Sequence, residues 1–110
     1  MLRIGYILPP GFQVMSFAAI SAFELANVLA GKVLYEVRAL SEDGGLAQGS
    51  LGMAVDTRAF RAANFDTLLI SGVLEVVPSS PALIRFVQSA ARRCRRVVSI
   101  CTGTFILADA

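Results

Sequence analysis

The sequence predicts an α/β domain built on a mainly parallel sheet that is flanked by helices. Residues 2–8 and 67–70 are short, almost wholly apolar runs that stop at glycine-containing loops, as buried parallel strands do. Residues 14–30 have helical spacing instead, with a narrow polar stripe on an otherwise apolar cylinder. Strands that alternate with helices in this order become parallel neighbours in one sheet.

The middle of the chain predicts a second strand and a hairpin. Residues 34–40 alternate as a strand does and precede a turn at residues 41–45. Two glycines interrupt residues 48–57, which are therefore expected to form a short, bent hairpin or an extended excursion. Residues 58–64 are expected to form a loop or a brief helix.

The last third of the chain predicts helix, strand and helix. Ser80 is the predicted N-cap of a helix that has Pro81 at its first position and runs to about Arg93. Residues 97–100 form the predicted last strand, and residues 103–110 begin another helix.

Length and composition exclude several classes of function. A chain of 110 residues holds one domain, and its 55% apolar content favours a folded core. Ten basic and eight acidic residues leave a net charge of +2, too weak a field to indicate nucleic acid or an anionic membrane as partner. Pro9, Pro10 and Gly11 interrupt the uncharged residues 4–23, so neither a membrane span nor an export signal is predicted.

The chain has two cysteines, Cys94 and Cys101, and no histidine. Two cysteines are too few for a disulfide framework and have no metal-ligand spacing, so we expect no metal, no cofactor and a cytoplasmic location. Cys94 is flanked by Arg92, Arg93, Arg95 and Arg96, which could form a phosphate- or nucleic-acid-binding patch. The favoured interpretation is that they complement the helix dipole and solvate the outside of the sheet.

The residues around Cys101 predict a nucleophile elbow, a sharp turn between a strand and a helix. Gly103 lets the helix pass close to the strand, and the helix amino terminus favours a thiolate. In acyl transfer the N–H of Thr102 would face an oxyanion, with Gly72 or Val73 as the second donor. The simpler interpretation makes Cys101 a small apolar residue at a strand end.

Three segments carry a resemblance to a known family: residues 8–12, residues 65–72 and residues 99–105, which read Ser-Ile-Cys-Thr-Gly-Thr-Phe. Together they resemble the ThiJ/PfpI, class I glutamine amidotransferase-like superfamily, whose fold is flavodoxin-like. The chain looks most like the amino-terminal domains of AraC-type transcriptional regulators. This resemblance implies a sensor and dimerisation domain with a small-molecule effector, a homodimer, and DNA contact only through a downstream helix-turn-helix domain.

The chain departs from the enzymatic members of the superfamily in two respects. Those members pair the cysteine with an acidic residue after the first strand and with a later histidine. Ser16 stands at the acid's position, and a serine hydroxyl cannot replace a carboxylate near neutral pH. We therefore predict a non-catalytic domain in which Cys101 is a vestigial nucleophile. The predicted effector pocket consists of Gly11, Phe12, Ser16, Gly72, Val73, Cys101 and Thr102.

Two alternatives remain open: a cysteine-dependent hydrolase or hydratase of the same superfamily, and a stress-response protein in which Cys101 is oxidised. The chain stops soon after the elbow, and no segment matches a helix-turn-helix. Residues 1–110 are therefore interpreted as one partial ThiJ/PfpI-like domain, truncated at its carboxyl end, without the DNA-binding domain. Such a fragment is expected to expose apolar surface and to associate.

Overall fold

A computed structural model describes residues 1–61 and 64–110. Its described residues form six strands and three helices, with short 3₁₀ turns at Val14–Ser16 and Ser50–Gly52. In chain order these elements are β1 (Leu2–Ile7), α1 (Phe17–Ala30), β2 (Tyr35–Ser41), β3 (Gly45–Gln48), β4 (Ala54–Ala59), β5 (Thr67–Ile70), α2 (Pro81–Ala91), β6 (Arg96–Ser99) and α3 (Gly103–Asp109).

The strands form one sheet in the order β3-β4-β2-β1-β5-β6. Strand β1 lies at the centre and pairs in parallel with β2 and β5, and β5 pairs in parallel with β6. Only β3 and β4, at one edge, are antiparallel to each other. The predicted mainly parallel α/β sheet is therefore confirmed.

Each face of the sheet carries its own apolar cluster. Ile4, Tyr6 and Leu8 point to the face that α1 covers, because alternate residues of a strand lie on opposite faces. Ile7 and Leu40 belong to the opposite cluster, together with residues of α2 and α3. Burial on both faces explains why β1 and β5 read as continuous apolar runs.

The hairpin lies earlier in the chain than predicted. Strand β3 begins at Gly45, inside the predicted turn at residues 41–45, and pairs with β4 through Gly45↔Thr57. The prediction of a loop or brief helix at residues 58–64 is wrong at its start, because Arg58 and Ala59 continue β4 and pair with β2. The rest of that segment includes residues 62 and 63, which lie outside the described residues.

The helix ends depend on side-chain hydrogen bonds. The Ser80 hydroxyl accepts a hydrogen bond from the Leu83 N–H at 3.1 Å, so the predicted N-cap of α2 is confirmed. Near the end of α1, the side-chain amide oxygen of Asn27, Oδ1, accepts hydrogen bonds from the backbone N–H groups of Leu34 and Tyr35 at 2.8 and 2.9 Å. Asn27 therefore ties α1 to β2. Among the described residues, no helix is long and apolar enough to cross a membrane.

Asp66 makes the stability of the fold depend on pH. The Thr67 hydroxyl donates to Asp66 Oδ2 at 2.8 Å, and Arg95 Nε lies 3.0 Å from Oδ1. The Thr67 hydrogen bond, followed by the bond and charge of Arg95, lowers the pKa of Asp66 below its usual 3.8. The ionised carboxylate therefore stabilises the fold above the unfolded-state pKa, and this contribution disappears as pH falls through the lower folded-state pKa.

Asp66→Asn is expected to lower the melting temperature at pH 7 and to have a smaller effect at about pH 2, where less of the Asp66 carboxyl is ionised. Thermal unfolding followed by circular dichroism at both pH values measures the difference. Asp43→Asn, in an exposed turn, is the control and should have little effect at either pH. An equal loss for Asp66→Asn at both pH values would show that charge plays no part.

Candidate functional site

Cys101 occupies the turn between β6 and α3, at the carboxyl edge of the sheet. Its φ of 52° lies in the left-handed region, which side-chain-bearing residues rarely adopt. The Gly103 N–H donates to the Ile100 carbonyl at 2.9 Å and closes the turn tightly. The backbone at Cys101 thus has the strained geometry of a nucleophile elbow.

Gly103 allows α3 to start directly beside β5. A Cβ atom at this position would lie 3.0 Å from the Ser71 carbonyl oxygen and closer still to that of Ile70. Both neighbours are backbone atoms of the central sheet, so neither can turn aside as a side chain could. Position 103 therefore requires glycine for steric reasons.

Thr102 joins the elbow to the end of β5. Its hydroxyl donates to the Val73 carbonyl at 2.7 Å and accepts from the Val73 N–H at 2.8 Å. The Gly72 N–H donates to Ser16 Oγ at 3.3 Å, and the Gly72 carbonyl accepts from the Gln13 N–H at 2.7 Å. The N–H groups of Gly72 and Val73, both considered as oxyanion donors, are therefore already engaged inside the protein.

Ser16, at the position of the superfamily's acidic residue, is 4% exposed. Its neighbour Tyr6 is fully buried, and the Tyr6 hydroxyl has no hydrogen-bond partner of standard geometry in the described part of the chain. Burial raises the pKa of Tyr6, and the nearby hydroxyls of Ser71 and Ser16 offset part of that rise. The surroundings of Ser16 consist of neutral hydroxyl and amide groups.

Among the described residues, two members of the predicted effector pocket line the cavity beside the elbow. The ring of Phe12 fills the space between the β1–α1 loop and the end of β5, and its exposed fraction is 0%. Phe12 bridges to Gly49 and Val73, and its ring leaves no room for a Cβ on Gly49. Of the predicted residues, Val73 and Thr102 line the nearby cavity. The others do not line it: Gly11, Phe12, Ser16, Gly72 and Cys101.

The cavity beside the elbow has a volume of about 390 Å³. Its walls come from the loop after β1, the β2–β3 turn, the segment after Val73, and α3. Phe60 and Phe105 contribute aromatic surface, and Glu42 and Asp43 contribute carboxylates, whereas no lysine or arginine lines it. Sequence reasoning missed this cavity; the apolar Val76 and Val77, which follow the glycine at the end of β5, were the available signal.

The two cysteines occupy different environments. Cys101 is exposed, whereas Cys94 is half-buried at the end of α2. Burial raises the pKa of Cys94, an effect that the charge of Arg93 partly opposes. Arg95 pairs with Asp66, and the described residues contain no group of three or more histidine, cysteine or acidic side chains that could hold a metal.

In its fold and in the elbow at Cys101, this chain is similar to ThiJ/PfpI-type and DJ-1-type domains. Its backbone superposes on the AraC family transcriptional regulator from Pseudomonas putida with a TM-score of 0.86 and 22% identity, covering 100% of this chain and 71% of that chain. It superposes on the DJ-1 superfamily protein Atu0886 from Agrobacterium tumefaciens with a TM-score of 0.70 and 26% identity, covering 97% of this chain and 57% of that one. No protein-family model matches the chain.

In sequence, the chain is similar to transcriptional regulators. It is 32% identical over 111 residues to the HTH-type transcriptional regulator GbdR of Pseudomonas aeruginosa, a match that covers 97% of this chain and 30% of the regulator. It is 41% identical over 54 residues to the HTH-type transcriptional regulator GlxA of Rhizobium meliloti, covering 48% of this chain and 17% of that protein. The resemblance to the ThiJ/PfpI domain of AraC-type regulators is therefore confirmed, and the chain spans about a third of the length of GbdR.

Proposed function

We propose that this chain is the sensor and dimerisation part of an AraC-type transcriptional regulator and that it binds a small-molecule effector without turning it over. The observation that carries the proposal is the cavity of about 390 Å³ beside the elbow, on a domain whose sequence relatives are regulators. Open parallel sheets bind ligands at the carboxyl ends of their strands, where this cavity lies.

The arrangement around Cys101 argues against catalysis. Catalytic thiols need a base within hydrogen-bond reach, and these 110 residues include no histidine. The Ser16 hydroxyl accepts from Gly72, and the Thr102 hydroxyl engages the Val73 N–H, so groups that could support an oxyanion serve the fold instead. Cys101 also lies outside the cavity lining, which supports a role in which the thiol does not react with the effector.

The walls of the cavity favour a particular kind of effector. Its volume falls in the range of about 300–1,000 Å³ that is typical of small-molecule sites, and apolar side chains dominate its lining. Among the described residues, its charged lining consists of Glu42 and Asp43. Their negative field would repel an anion, so a neutral or cationic molecule with an apolar body fits best.

Cavity variants test effector binding. We expect at least one neutral or cationic compound from a metabolite library to raise the melting temperature, and Phe105→Ala to weaken its binding about tenfold by removing an aromatic wall. Leu51→Ala, on an 89% exposed residue outside the cavity, is the control and should bind normally. If every stabilising compound bound equally to the Phe105→Ala variant, the effector site would lie elsewhere.

The proposed dimerisation surface is the outer face of α1 together with the 3₁₀ turn before it, and it consists of Met15, Ala18, Ala22, Leu25 and Leu29. All five are exposed, with Leu29 at 86%, and their spacing alternates between three and four residues as in a coiled-coil seam. An antiparallel copy would set small Ala18 against large Leu25.

Sedimentation velocity tests this surface. Leu25→Glu with Leu29→Glu is expected to shift the chain from dimer to monomer, because two carboxylates would be buried against apolar side chains. Leu51→Glu is the control, since Leu51 is 89% exposed in a loop away from α1. A dimer that survived the double substitution would place the interface on another surface.

DNA contact belongs, in this proposal, to a helix-turn-helix domain outside these 110 residues, and the regulator acts in the cytoplasm. The HTH-type regulators that the chain matches extend well beyond the matched part. The weak net charge of +2 supports the assignment of DNA binding to the other domain. The chain alone is therefore expected to leave DNA unshifted in a gel-retardation assay.

A further inference from the structure

A second concavity lies on the sheet face opposite α1, where neither α2 nor α3 lines it. Its volume is about 250 Å³, and it shares no lining residue with the cavity beside the elbow. Four arginines and one glutamate supply its charged lining, and Leu40 and Phe65 contribute apolar surface. Those lining residues are Arg3, Glu36, Arg38, Leu40, Arg58, Ala59, Arg61 and Phe65.

Strand register brings these arginines together. Arg3 on β1 pairs with Glu36 on β2, and Leu40 on β2 pairs with Arg58 on β4. Paired residues of parallel strands share a face, and alternate residues along a strand return to it, so Arg38 lies on this face too. The same face carries Ile7 in the core that α2 and α3 cover. The same sheet face is thus apolar where α2 and α3 cover it and strongly basic at the concavity.

The positive charge in this concavity is mostly uncompensated. Glu36 Oε1 lies 2.7 Å from both Nε and Nη2 of Arg38, so this carboxylate is committed to one partner. Among the described residues, Arg3, Arg58 and Arg61 have no ion pair. Three guanidinium groups around so small a space repel one another, and a bound anion would relieve that repulsion.

We propose that this concavity binds a compact polyanion that carries phosphate or carboxylate groups on a short body. Guanidinium groups recognise both oxyanions through paired, charge-assisted hydrogen bonds. The volume of about 250 Å³ corresponds to about eight water molecules at about 30 Å³ each, which suits a small organic phosphate or a tricarboxylate. The site lies apart from the effector cavity and does not depend on its function.

Isothermal titration calorimetry at constant ionic strength tests the proposal. This chain is titrated with inorganic pyrophosphate and, separately, with citrate. At least one of the two is expected to bind with a dissociation constant of about 1 mM or tighter. Arg58→Gln with Arg61→Gln should weaken that binding at least about tenfold, because two charge-assisted contacts are lost. A preference for pyrophosphate would identify a phosphate ligand, and a preference for citrate a carboxylate ligand.

Arg92→Gln with Arg93→Gln is the matched control, since it removes the same charge at the end of α2, outside the concavity. Arg61→Gln alone, in the loop after β4, covers the case in which the double variant fails to fold, and should still weaken binding. Absence of binding up to about 10 mM of either anion, or equal weakening by the Arg92/Arg93 control, would overturn the proposal.

Discussion

Gly103→Ala is expected to lower the free energy of unfolding by about 3 kcal/mol or more, although alanine is the better helix former by about 1 kcal/mol. The added Cβ would press on the carbonyl oxygens of Ile70 and Ser71, which belong to the backbone of the central sheet. Relief requires α3 to move off the sheet, which would also disturb the elbow at Cys101. Urea unfolding at pH 7 measures the loss.

Gly52→Ala is the matched control for this substitution. Gly52 has a φ of 68°, and no atom lies within 4 Å of the place that an added methyl group would take, so alanine there costs only the left-handed conformation, about 1 kcal/mol. A Gly103→Ala variant as stable as the starting protein would mean that the close approach of α3 to β5 is not required.

Phe12→Ala is expected to destabilise the fold by about 3–5 kcal/mol, the usual range for truncating a fully buried phenylalanine. The ring packs edge-on against Phe17 with centroids 5.7 Å apart and closes the gap between Gly49 and Val73. Because Val73 also lines the effector cavity, weaker effector binding should accompany the loss of stability. Chemical denaturation and ligand titration measure the two effects.

Phe12→Leu is the conservative comparison for the stability effect of Phe12→Ala. Leucine keeps most of the buried apolar volume, so stability should fall by less than in Phe12→Ala, about 1.5 kcal/mol. Leu51→Ala, on an 89% exposed residue, should change stability by less than about 0.5 kcal/mol. If Phe12→Ala were as stable as Leu51→Ala, the buried Phe12 ring would not be needed to hold the loop after β1 in place.

The central elements could be predicted from the sequence because their signals are local. Strands β1 and β5 are buried on both faces, so their sequences are apolar runs. Ser80 as N-cap and Pro81 at the first helical position indicate the start of α2. The elbow was predictable from Cys101 and Gly103, since the tight turn demands a glycine directly after it. Each of these features depends on residues close together in the chain.

The cavity was not predictable because packing between distant residues decides its place. The Thr102 hydroxyl accepts a hydrogen bond from the N–H of Val73, 29 positions earlier. The Ser16 hydroxyl accepts one from the N–H of Gly72, 56 positions later. No local pattern reveals either pair. Phe12 lies in the loop after β1, yet its side chain is fully buried. The cavity beside the elbow is the space that we propose for an effector.

The same distant contacts bear on the role of Cys101. The elbow backbone is present, but the nearby hydroxyl and amide groups bond one another, and Ser16 supplies no carboxylate. These contacts support the proposal that Cys101 is not a catalytic nucleophile, since catalytic thiols work with a nearby base. In this proposal Cys101 maintains the turn that precedes Thr102 and α3.

Effector binding to a Cys101→Ala variant, with mass spectrometry of the recovered ligand and protein, tests the non-catalytic role most directly. A sensing domain without turnover should bind the effector with unchanged affinity after Cys101→Ala, and the starting protein should release the ligand chemically intact and carry no adduct. Conversion of the ligand, or an adduct on Cys101, that disappears in the Cys101→Ala variant would contradict this role and identify a cysteine-dependent enzyme.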